Sequence, residues 1–325
     1  MEQNWDKILK FKHISTAAKE AVKYIEDRKE GLIQSLATRW YKINTACMGG
    51  IEPNALYTIA GISGSGKSSF ANSLETDLFD LNPDIEITVL SFNFEMLAMK
   101  QVGRKLSNKL DLTTSELYSG APGSTLSDSN LSKVRQASAS IKKYDIYYVD
   151  SPGNTEDISL TIKYFQEVVA KDRWLIVMLD HTLLTRNQSG DSERETIVKL
   201  QKVFVEARKI GKTTIIQLSQ LNRDIEDKDR LVNPTAHFPM RKDISSSDSV
   251  YQSSDYVFVI HRPEILGLKV YGPRAWPVDN YIYLHILKNR EGELKVLQFW
   301  NNLKYNRIED VPQGDPAAQA VEGSN

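Results

Sequence analysis

One eight-residue run constrains the fold of this chain more than any other feature, because it matches the pattern G-x-x-x-x-G-K-[ST]. It reads Gly61-Ile62-Ser63-Gly64-Ser65-Gly66-Lys67-Ser68. Residues 56–60 are apolar and β-branched, and residues 69–74 can open a helix, so the context is strand, loop and helix. Glycines let such a loop turn its N–H groups inward, toward an anion that the helix N-terminus also attracts. The run therefore predicts a phosphate-binding loop, against the alternative of a Gly/Ser-rich surface turn.

The loop assigns two side chains to the chemistry of a bound nucleotide. Lys67 is expected to reach the β- and γ-phosphates, and the Ser68 hydroxyl is expected to coordinate Mg²⁺. The candidate nucleotide-binding residues are Gly61, Ser63, Gly64, Ser65, Gly66, Lys67, Ser68 and Ser69.

The composition limits what else the chain can be. Its 325 residues suffice for one large α/β domain with small appendages. A net charge of −1 leaves no overall basic field, so any DNA contact must be local. The single cysteine, Cys47, excludes an intramolecular disulfide and fits a reducing cytoplasm. Because the first residues are too polar for a signal peptide and no apolar run could span a bilayer, we expect a soluble cytoplasmic protein without a membrane partner.

Residues 1–40 are predicted to form an N-terminal arm with one amphipathic helix. Between residues 15 and 30, the apolar Ala18, Val22 and Ile25 recur at i, i+4 and i+7, and charged residues occupy the other faces. Two interpretations stay open: this stripe packs on its own domain, or it docks on a neighbouring subunit.

Residues 41–311 alternate between predicted strands and helices, as a parallel sheet covered on both faces requires. The predicted strands of this part are 84–93, 144–149, 174–180 and 213–219. Three further strands, 256–261, 281–288 and 294–300, lack long helices between them, which indicates an antiparallel extension at the sheet edge. Residues 312–325 are predicted to be a disordered tail. The fold class is α/β.

Three polar residues follow predicted strands at the edge where open parallel sheets bind ligands. Asp180 ends the most hydrophobic strand, where a carboxylate can hold Mg²⁺ opposite Ser68 or can simply cap the next element. Glu95 can orient and polarise the attacking water, or it is an ordinary Glu at a helix start. Gln220 can sense the γ-phosphate and pass that signal to the segment after it.

The segment 221–254 is rich in charge, Ser and Asp, and either contacts DNA phosphates or is a solvated loop. Four of its cations, Arg223, Arg230, Arg241 and Lys242, can contact phosphates, and Arg223, Arg241 and Lys242 are the candidate DNA contacts.

A later pair of cations, Lys288 and Arg290, ends another predicted strand. The two side chains can stabilise the negative charge that develops on a phosphoryl group during its transfer, or they are exposed turn residues. The histidines His181, His261 and His285 are interpreted as structural.

Five motifs occur in the order known from the DnaB-type replicative helicases, and the chain resembles that family over about residues 15–310. They are residues 61–68, Phe92-Asn93-Phe94-Glu95-Met96, Leu179-Asp180-His181, Leu218-Ser219-Gln220-Leu221-Asn222-Arg223 and Lys288-Asn289-Arg290-Glu291-Gly292. The resemblance implies a RecA-like motor that uses ATP and Mg²⁺, and a homo-oligomer, as a hexameric ring that tracks single-stranded DNA. Residues 18–31 resemble the helical linker before that motor.

The resemblance also implies a role for each matched residue. Lys67 and Ser68 bind phosphate and Mg²⁺, Asp180 is the Walker B aspartate, Glu95 is the catalytic base and Gln220 is the sensor. Lys288 and Arg290 are the pair inserted into the site of the next subunit. A loader or a primase is an implied partner.

Two features depart from the family pattern. The residues of this chain are expected to lack the N-terminal domain that forms a collar and meets primase, which resembles short helicases of phages and mobile elements. Where the pore loop usually carries a basic residue followed by Glu and Gly, this chain has Ser245-Ser246-Ser247-Asp248. Arg241 and Lys242, just before, can compensate.

The leading hypothesis is an ATP-driven DNA helicase that unwinds duplex DNA during replication. The alternatives are a RecA-like recombination or repair ATPase without unwinding, and an ATP-gated protein-binding ring that touches no DNA.

Overall fold

The structure is a computed structural model that describes residues 9–188, 190–233, 237–245 and 247–312. Of the predicted disordered tail, residues 313–325 lie outside the described residues, as does Ser246 of the pore-loop departure. The chain divides into two compact units, Met1–Ser35 and Leu36–Asn325.

The first unit contains one helix, α1 (Ile14–Lys29), close to the predicted bounds. The His13 side chain accepts a hydrogen bond from the N–H of Ser15 at 3.2 Å, and cationic residues in the last turn complement the helix dipole. None of the helix residues is buried: Val22 is 54% and Ile25 64% exposed. The predicted apolar stripe therefore lies open along this helix.

Within the described residues, nine strands form one sheet in the order β3-β2-β4-β5-β1-β6-β7-β8-β9. Their bounds are β1 Leu56–Gly61, β2 Ile87–Asn93, β3 Ile146–Val149, β4 Trp174–Asp180, β5 Thr213–Gln220, β6 Tyr256–His261, β7 Tyr281–Asn289, β8 Val296–Asn302 and β9 Arg307–Asp310. The first six strands pair in parallel and the last three extend the sheet antiparallel. The prediction of a mostly parallel sheet with an antiparallel edge is confirmed.

One strand was assigned to the wrong part of that sheet. The sequence pattern predicts that residues 256–261 belong to the antiparallel extension, whereas β6 pairs in parallel with β1. The reason is the connection from β5 to β6, which runs back along the sheet and contains a short helix, α10 (Ser247–Ser253). That helix was not predicted, because the charge and serine content of residues 221–254 hides it.

The helices of the second unit cover both faces of the sheet. They are α2 Tyr41–Ala46, α3 Lys67–Asp80, α4 Ala98–Leu110, α5 Thr114–Tyr118, α6 Asp128–Ile141, α7 Thr155–Tyr164, α8 Glu193–Ala207, α9 Lys228–Leu231 and α10. Alternate strand residues pack with α2 and α3 in one core cluster, and with α7 and α8 in another. The buried strands thus read as continuous apolar runs, because each face has its own core.

Trp40 shows that the core begins before the predicted boundary at residue 40. Its ring stacks on Phe70 with 4.0 Å between ring centroids, and its Nε1–H donates to the Ile308 carbonyl at 2.7 Å. The division into an arm, an ATPase domain and a tail stays a prediction.

Helix α4 is absent from the sequence prediction, because the side that it buries is polar. Lys105 is fully buried and its Nζ lies 2.7 Å from Glu75 Oε2 on α3. Glu75 Oε1 in turn accepts a hydrogen bond from the Ser91 hydroxyl at 2.6 Å. The apolar Val102 and Leu106 of this helix are only partly buried, and its fully buried positions carry polar groups and a glycine.

Among the described residues, no helix combines the length and the apolar character needed to cross a bilayer.

Candidate functional site

The carboxyl edge of the parallel strands brings together four residues that the sequence places far apart. Gly61 at the end of β1 lies opposite Gln220 on β5, and Asn93 at the end of β2 lies opposite Asp180 on β4. The Phe94 N–H donates to the Asp180 carbonyl at 3.0 Å, which places Glu95 beside Asp180. The predicted phosphate loop, metal ligand, base and sensor therefore share one edge, and their roles stay predictions.

The phosphate loop is shaped by glycines that admit no side chain. A Cβ on Gly61 would lie 2.5 Å from Ser65 Oγ and 2.6 Å from the Ile260 carbonyl oxygen. Gly66 caps α3 at φ 102°, and its Cβ would meet Leu303 at 3.0 Å. Lys67 Nζ donates to the carbonyls of Gly61 at 2.7 Å and Ile62 at 2.9 Å, so the ammonium lies inside the loop. This cradle, with the buried Ser65 hydroxyl lacking a hydrogen-bond partner, fits a phosphate group.

Burial and like charge perturb the carboxylate of Asp180. Desolvation raises its pKa to about 6, and the negative charge of Glu95 adds to this rise. The Ser68 hydroxyl, Lys67 and Arg104 act in the opposite direction. Burial also lowers the pKa of Lys67 to about 8, against the attraction of Asp180 and Glu95. A divalent cation beside Asp180 would relieve the repulsion between the two carboxylates.

The oxygen ligands at this point suit Mg²⁺. A hydroxyl from Ser68 and a carboxylate from Asp180 are hard ligands, and Mg²⁺ keeps most of its other positions for water and phosphate. The described part of the chain has no group of three or more His, Cys, Asp or Glu that could hold a metal by itself.

Arg104 is a cation of this site that sequence analysis missed. It lies on α4, and Asp180 and Glu95 both act to raise its pKa, although burial lowers the pKa overall. No motif marks this arginine, and its helix was not predicted. Only the packing of α4 beside β2 brings it to the two carboxylates.

His181 is the second residue that sequence analysis underrated, since it assigned the side chain a structural role. His181 Nε2 lies 3.2 Å from Gln220 Nε2 and 3.9 Å from Glu95 Oε2. Burial lowers the pKa of the imidazole, so it is neutral at pH 7 and its contact with Glu95 is not an ion pair. Glu95 is 56% exposed, as a group that meets solvent water must be. The ring of His181 therefore connects the predicted base with the predicted sensor.

The second predicted cation pair, Lys288 and Arg290, lies at the amino ends of the parallel strands, opposite the ends that carry the phosphate loop. Asn289, between Lys288 and Arg290, is opposite Tyr256, which is opposite Tyr57 near the start of β1. The strand from Tyr57 to Gly61 is roughly 13 Å long at about 3.3 Å per residue. Neither cation reaches the phosphate loop of its own chain.

Both cations of this pair are held by neighbouring groups. Lys288 Nζ donates to the carbonyls of Tyr251 at 2.8 Å and Gln252 at 3.2 Å. Arg290 Nε lies 3.0 Å from Asp255 Oδ1, and the Arg290 side chain is half exposed.

The four cations in the segment between β5 and β6 that the sequence marks as possible phosphate contacts are of two kinds. Arg230 forms a two-pronged ion pair with the fully buried Asp243, at 2.7 and 2.9 Å, and so supports the loop. Arg223 and Lys242 are exposed. Arg241 lies 4.8 Å from the centre of the Tyr251 ring and 2.8 Å from Asp248.

Comparison with known proteins identifies this architecture. A family described as the DnaB-like helicase C-terminal domain matches residues 35–310. The replicative DNA helicase DnaB of Mycobacterium leprae is 24% identical over 228 residues, which is 68% of this chain and 34% of that protein. A probable plasmid replicative DNA helicase of Chlamydia muridarum is 23% identical over 172 residues, covering 53% of this chain and 36% of the relative. The chain thus spans about a third of the length of these relatives.

Two solved structures show the same fold. One, an isolated ATPase domain, superposes with a TM-score of 0.74 at 18% identity, over 90% of this chain and 98% of that one. A structure of a DnaB-like replicative helicase and its interactions with primase also gives 0.74 at 18% identity, over 90% of this chain and 66% of that one. The predicted RecA-like core is confirmed. Because the family match extends over most of its length, the chain belongs to the DnaB-like helicase C-terminal domain family.

Proposed function

We propose that this protein is an ATP-driven DNA helicase that hydrolyses ATP at the subunit interfaces of a ring, translocates on single-stranded DNA and unwinds duplex DNA in replication. One observation carries the proposal. The groups for binding and hydrolysing nucleotide lie at one edge of the sheet, and Lys288 and Arg290 lie at the other. Such a division completes a site only between two copies. The relatives named as replicative helicases supply the DNA substrate by analogy.

At the carboxyl edge, each residue has a distinct task. The loop amides and Lys67 bind the phosphates, and Ser68 with Asp180 would hold Mg²⁺, whose charge would offset that of the phosphate oxygens. Glu95 orients the attacking water and accepts its proton, since it is the exposed carboxylate of the site. Arg104 opposes the rise in the pKa of Asp180 that burial and Glu95 cause, and so favours the ionised form of this carboxylate.

Gln220 transmits the state of the nucleotide. Gln220 contacts His181 in the site and is the last residue of β5 before the connection that carries the predicted DNA contacts. A change at the γ-phosphate that moves Gln220 therefore also moves the start of this connection. Lys242 anchors that segment through its carbonyl, which accepts a hydrogen bond from Asn222 at 2.7 Å. Arg223, Arg241 and Lys242 then meet DNA phosphates inside the ring.

The ring forms from copies of this chain, with a hexamer as the expected number. The open stripe of α1, with Val22 and Ile25, docks on the adjacent subunit, because burial of exposed apolar surface stabilises such a contact. Lys288 and Arg290 enter the site of the neighbour, where a guanidinium stabilises the charge of the transition state. The protein acts in the cytoplasm, and a loader or a primase is a further partner.

The test measures ATP turnover with and without single-stranded DNA, and then the separation of a forked duplex. The proposal predicts that DNA stimulates turnover and that the fork is separated, with Lys67→Ala as the inactive control. Stimulation without separation would favour a recombination or repair ATPase. If an assembled ring hydrolyses ATP at the same rate with and without single-stranded DNA, an ATP-gated protein-binding ring would be favoured.

A further inference from the structure

Asp255 is a buried carboxylate beside the turn of the β7–β8 hairpin, which carries Arg290. It directly precedes β6 and is 7% exposed. Its Oδ1 lies 3.0 Å from Arg290 Nε, and its carbonyl accepts a hydrogen bond from the Arg290 N–H at 3.2 Å. The carboxylate and the main chain of one residue therefore hold the side chain and the main chain of the other.

The carboxylate is itself fixed from two further sides. Asp255 Oδ2 accepts a hydrogen bond from the Leu56 N–H at 2.8 Å, and the Asp255 N–H donates to the Leu56 carbonyl at 2.8 Å. Arg208, at the end of α8, pairs with the same carboxylate oxygen. Contacts with a central strand and a helix leave this acceptor little freedom to move.

The contact with Asp255 holds the guanidinium by one side. It uses the Nε–H, one of five donors on the group, and the terminal nitrogens carry the other four. Half of the Arg290 side chain is exposed. The contact with Asp255 thus fixes the guanidinium at its Nε–H, and the terminal nitrogens lie on the side of the group away from Nε.

The local charge gives Asp255 a second task. Four cations meet around this hairpin: Arg208, Arg241, Lys288 and Arg290. Without the Asp255 carboxylate, repulsion would push Arg290 away from Arg208, because burial weakens the screening of charge by solvent.

We propose that Asp255, held by Leu56 and Arg208, is the positioning residue for Arg290 and sets the direction in which its guanidinium enters the site of the next subunit. The inference rests on the proposed function, since it needs Arg290 to act on a neighbour. Asp255 touches no nucleotide and acts through Arg290 alone. Because a displacement of about 1 Å in a positioned group can cost about 10²-fold in rate, loss of the carboxylate should lower kcat by roughly ten- to a hundredfold. ATP affinity should stay unchanged.

The experiment mixes full-length variants, so that each subunit contributes either its phosphate loop or its Arg290. Arg290→Ala mixed with Lys67→Ala is the reference, because intact loops meet intact arginines at some interfaces, about a quarter in a random equal mixture. Asp255→Asn mixed with Lys67→Ala should recover activity in the same way. Asp255→Asn mixed with Arg290→Ala should not recover, since both subunits then lack a working arginine. A merely structural role of Asp255 would not distinguish between these partners.

Asp145→Asn is the matched control. This carboxylate also precedes a strand, accepts from Thr88 at 2.6 Å and pairs with Arg173 at 2.7 Å, but it lies at the far edge of the sheet. A mixture of Asp145→Asn with Arg290→Ala should recover activity, because the Asp145→Asn subunit still presents a correctly positioned Arg290. Thermal unfolding checks that every variant folds. If Asp255→Asn does not fold, the test is repeated with Asp255→Glu, which keeps the charge and displaces it by one methylene.

Three results would overturn the inference: unchanged kcat in Asp255→Asn, recovery with Arg290→Ala, or no recovery with Lys67→Ala despite co-assembly. Failure of both Asp255 variants to fold would make the residue structural and also end the proposal. No recovery in the reference mixture, with co-assembly demonstrated, would instead overturn the proposed action of Arg290 on a neighbour.

Discussion

His181 Nε2 lies 3.2 Å from Gln220 Nε2, at the point where β4 and β5 end side by side. Because an amide nitrogen can only donate, the ring nitrogen accepts, and the proton of the neutral imidazole is then on Nδ1. The same Nε2 is 3.9 Å from Glu95 Oε2, so the side chains of Glu95 and Gln220 both lie next to this nitrogen. A displacement of Gln220 by the γ-phosphate would therefore also alter the surroundings of Glu95.

The first prediction separates hydrolysis from binding. Glu95→Gln should lower ATP turnover by about 10²–10⁴-fold, because the amide cannot accept a proton from water, and should leave nucleotide binding near normal. Lys67→Ala should instead weaken binding, since it removes the ammonium from the phosphate loop. Phosphate release and titration with a fluorescent nucleotide measure the two effects. Glu167→Gln, an exposed carboxylate after α7, is the control, and near-wild-type turnover in Glu95→Gln would move the base elsewhere.

The second prediction concerns DNA. Arg223→Ala and Lys242→Ala should each weaken binding of single-stranded DNA and reduce the slope of log affinity against log salt by about 0.7 for each phosphate that is no longer neutralised. ATP binding should not change, and the exposed Lys133→Ala on α6 should leave the slope unaltered. Fluorescence anisotropy at several salt concentrations measures the slope. Equal affinity of all variants at every salt concentration would place the DNA path elsewhere.

Arg241 should behave differently from Lys242, because it has contacts near the second cation pair. It lies over the Tyr251 ring, and the Tyr251 carbonyl accepts a hydrogen bond from Lys288. Arg241→Ala should therefore lower DNA-stimulated turnover as well as DNA affinity. The double variant Arg241→Ala with Lys242→Ala should show both effects together. If Arg241→Ala changes only affinity, the contact with Tyr251 has no part in hydrolysis.

The third prediction concerns α1. Val22→Asp combined with Ile25→Asp should dissociate the ring at micromolar concentration, because two charges then lie on the stripe that would be buried against a neighbour. Each subunit should stay folded. Lys19→Gln with Lys23→Gln makes the same change in net charge away from the stripe and should leave the ring intact. Analytical ultracentrifugation decides, and a large ring in the aspartate variant would return the helix to its own domain.

The fourth prediction concerns stability in acid. Burial lowers the pKa of His285 to about 3, and its Nε2 is hydrogen-bonded to the Tyr271 hydroxyl at 2.7 Å. Between this pKa and about 6.5, the unfolded chain binds a proton that the folded chain excludes. The free energy of unfolding should therefore be level above about pH 7 and fall by about 1.4 kcal/mol per pH unit below about pH 6.5 for this group.

Two neighbouring imidazoles steepen that fall, since burial also lowers the pKa of His237 and His261, and Arg230 acts in the same direction on both. Asp243 opposes it at His237. His285→Gln keeps an acceptor for Tyr271 and should reduce the slope between about pH 5 and 6.5 in urea unfolding. An unchanged slope would show that His285 does not contribute to acid instability.

The sequence determined those features that depend on neighbours along the chain. The phosphate loop, the apolar strands and the stripe of α1 are local patterns, because backbone conformation and periodic burial impose them residue by residue. The carboxyl-edge positions of Glu95, Asp180 and Gln220 were also predictable, since each lies at the end of a strand or within two residues of it.

Only the tertiary structure decided which distant residues meet. Arg104 reaches Asp180 on a helix whose packing with α3 is polar, and Asp255 reaches Arg290 through the antiparallel pairing of β6 with β7. The parallel pairing of β6 with β1, which the sequence prediction had wrong, brings Leu56 to the same carboxylate. Neither relation leaves a local pattern, because strand order is set by the burial of both sheet faces and the direction of the connections, and these are properties of the whole chain.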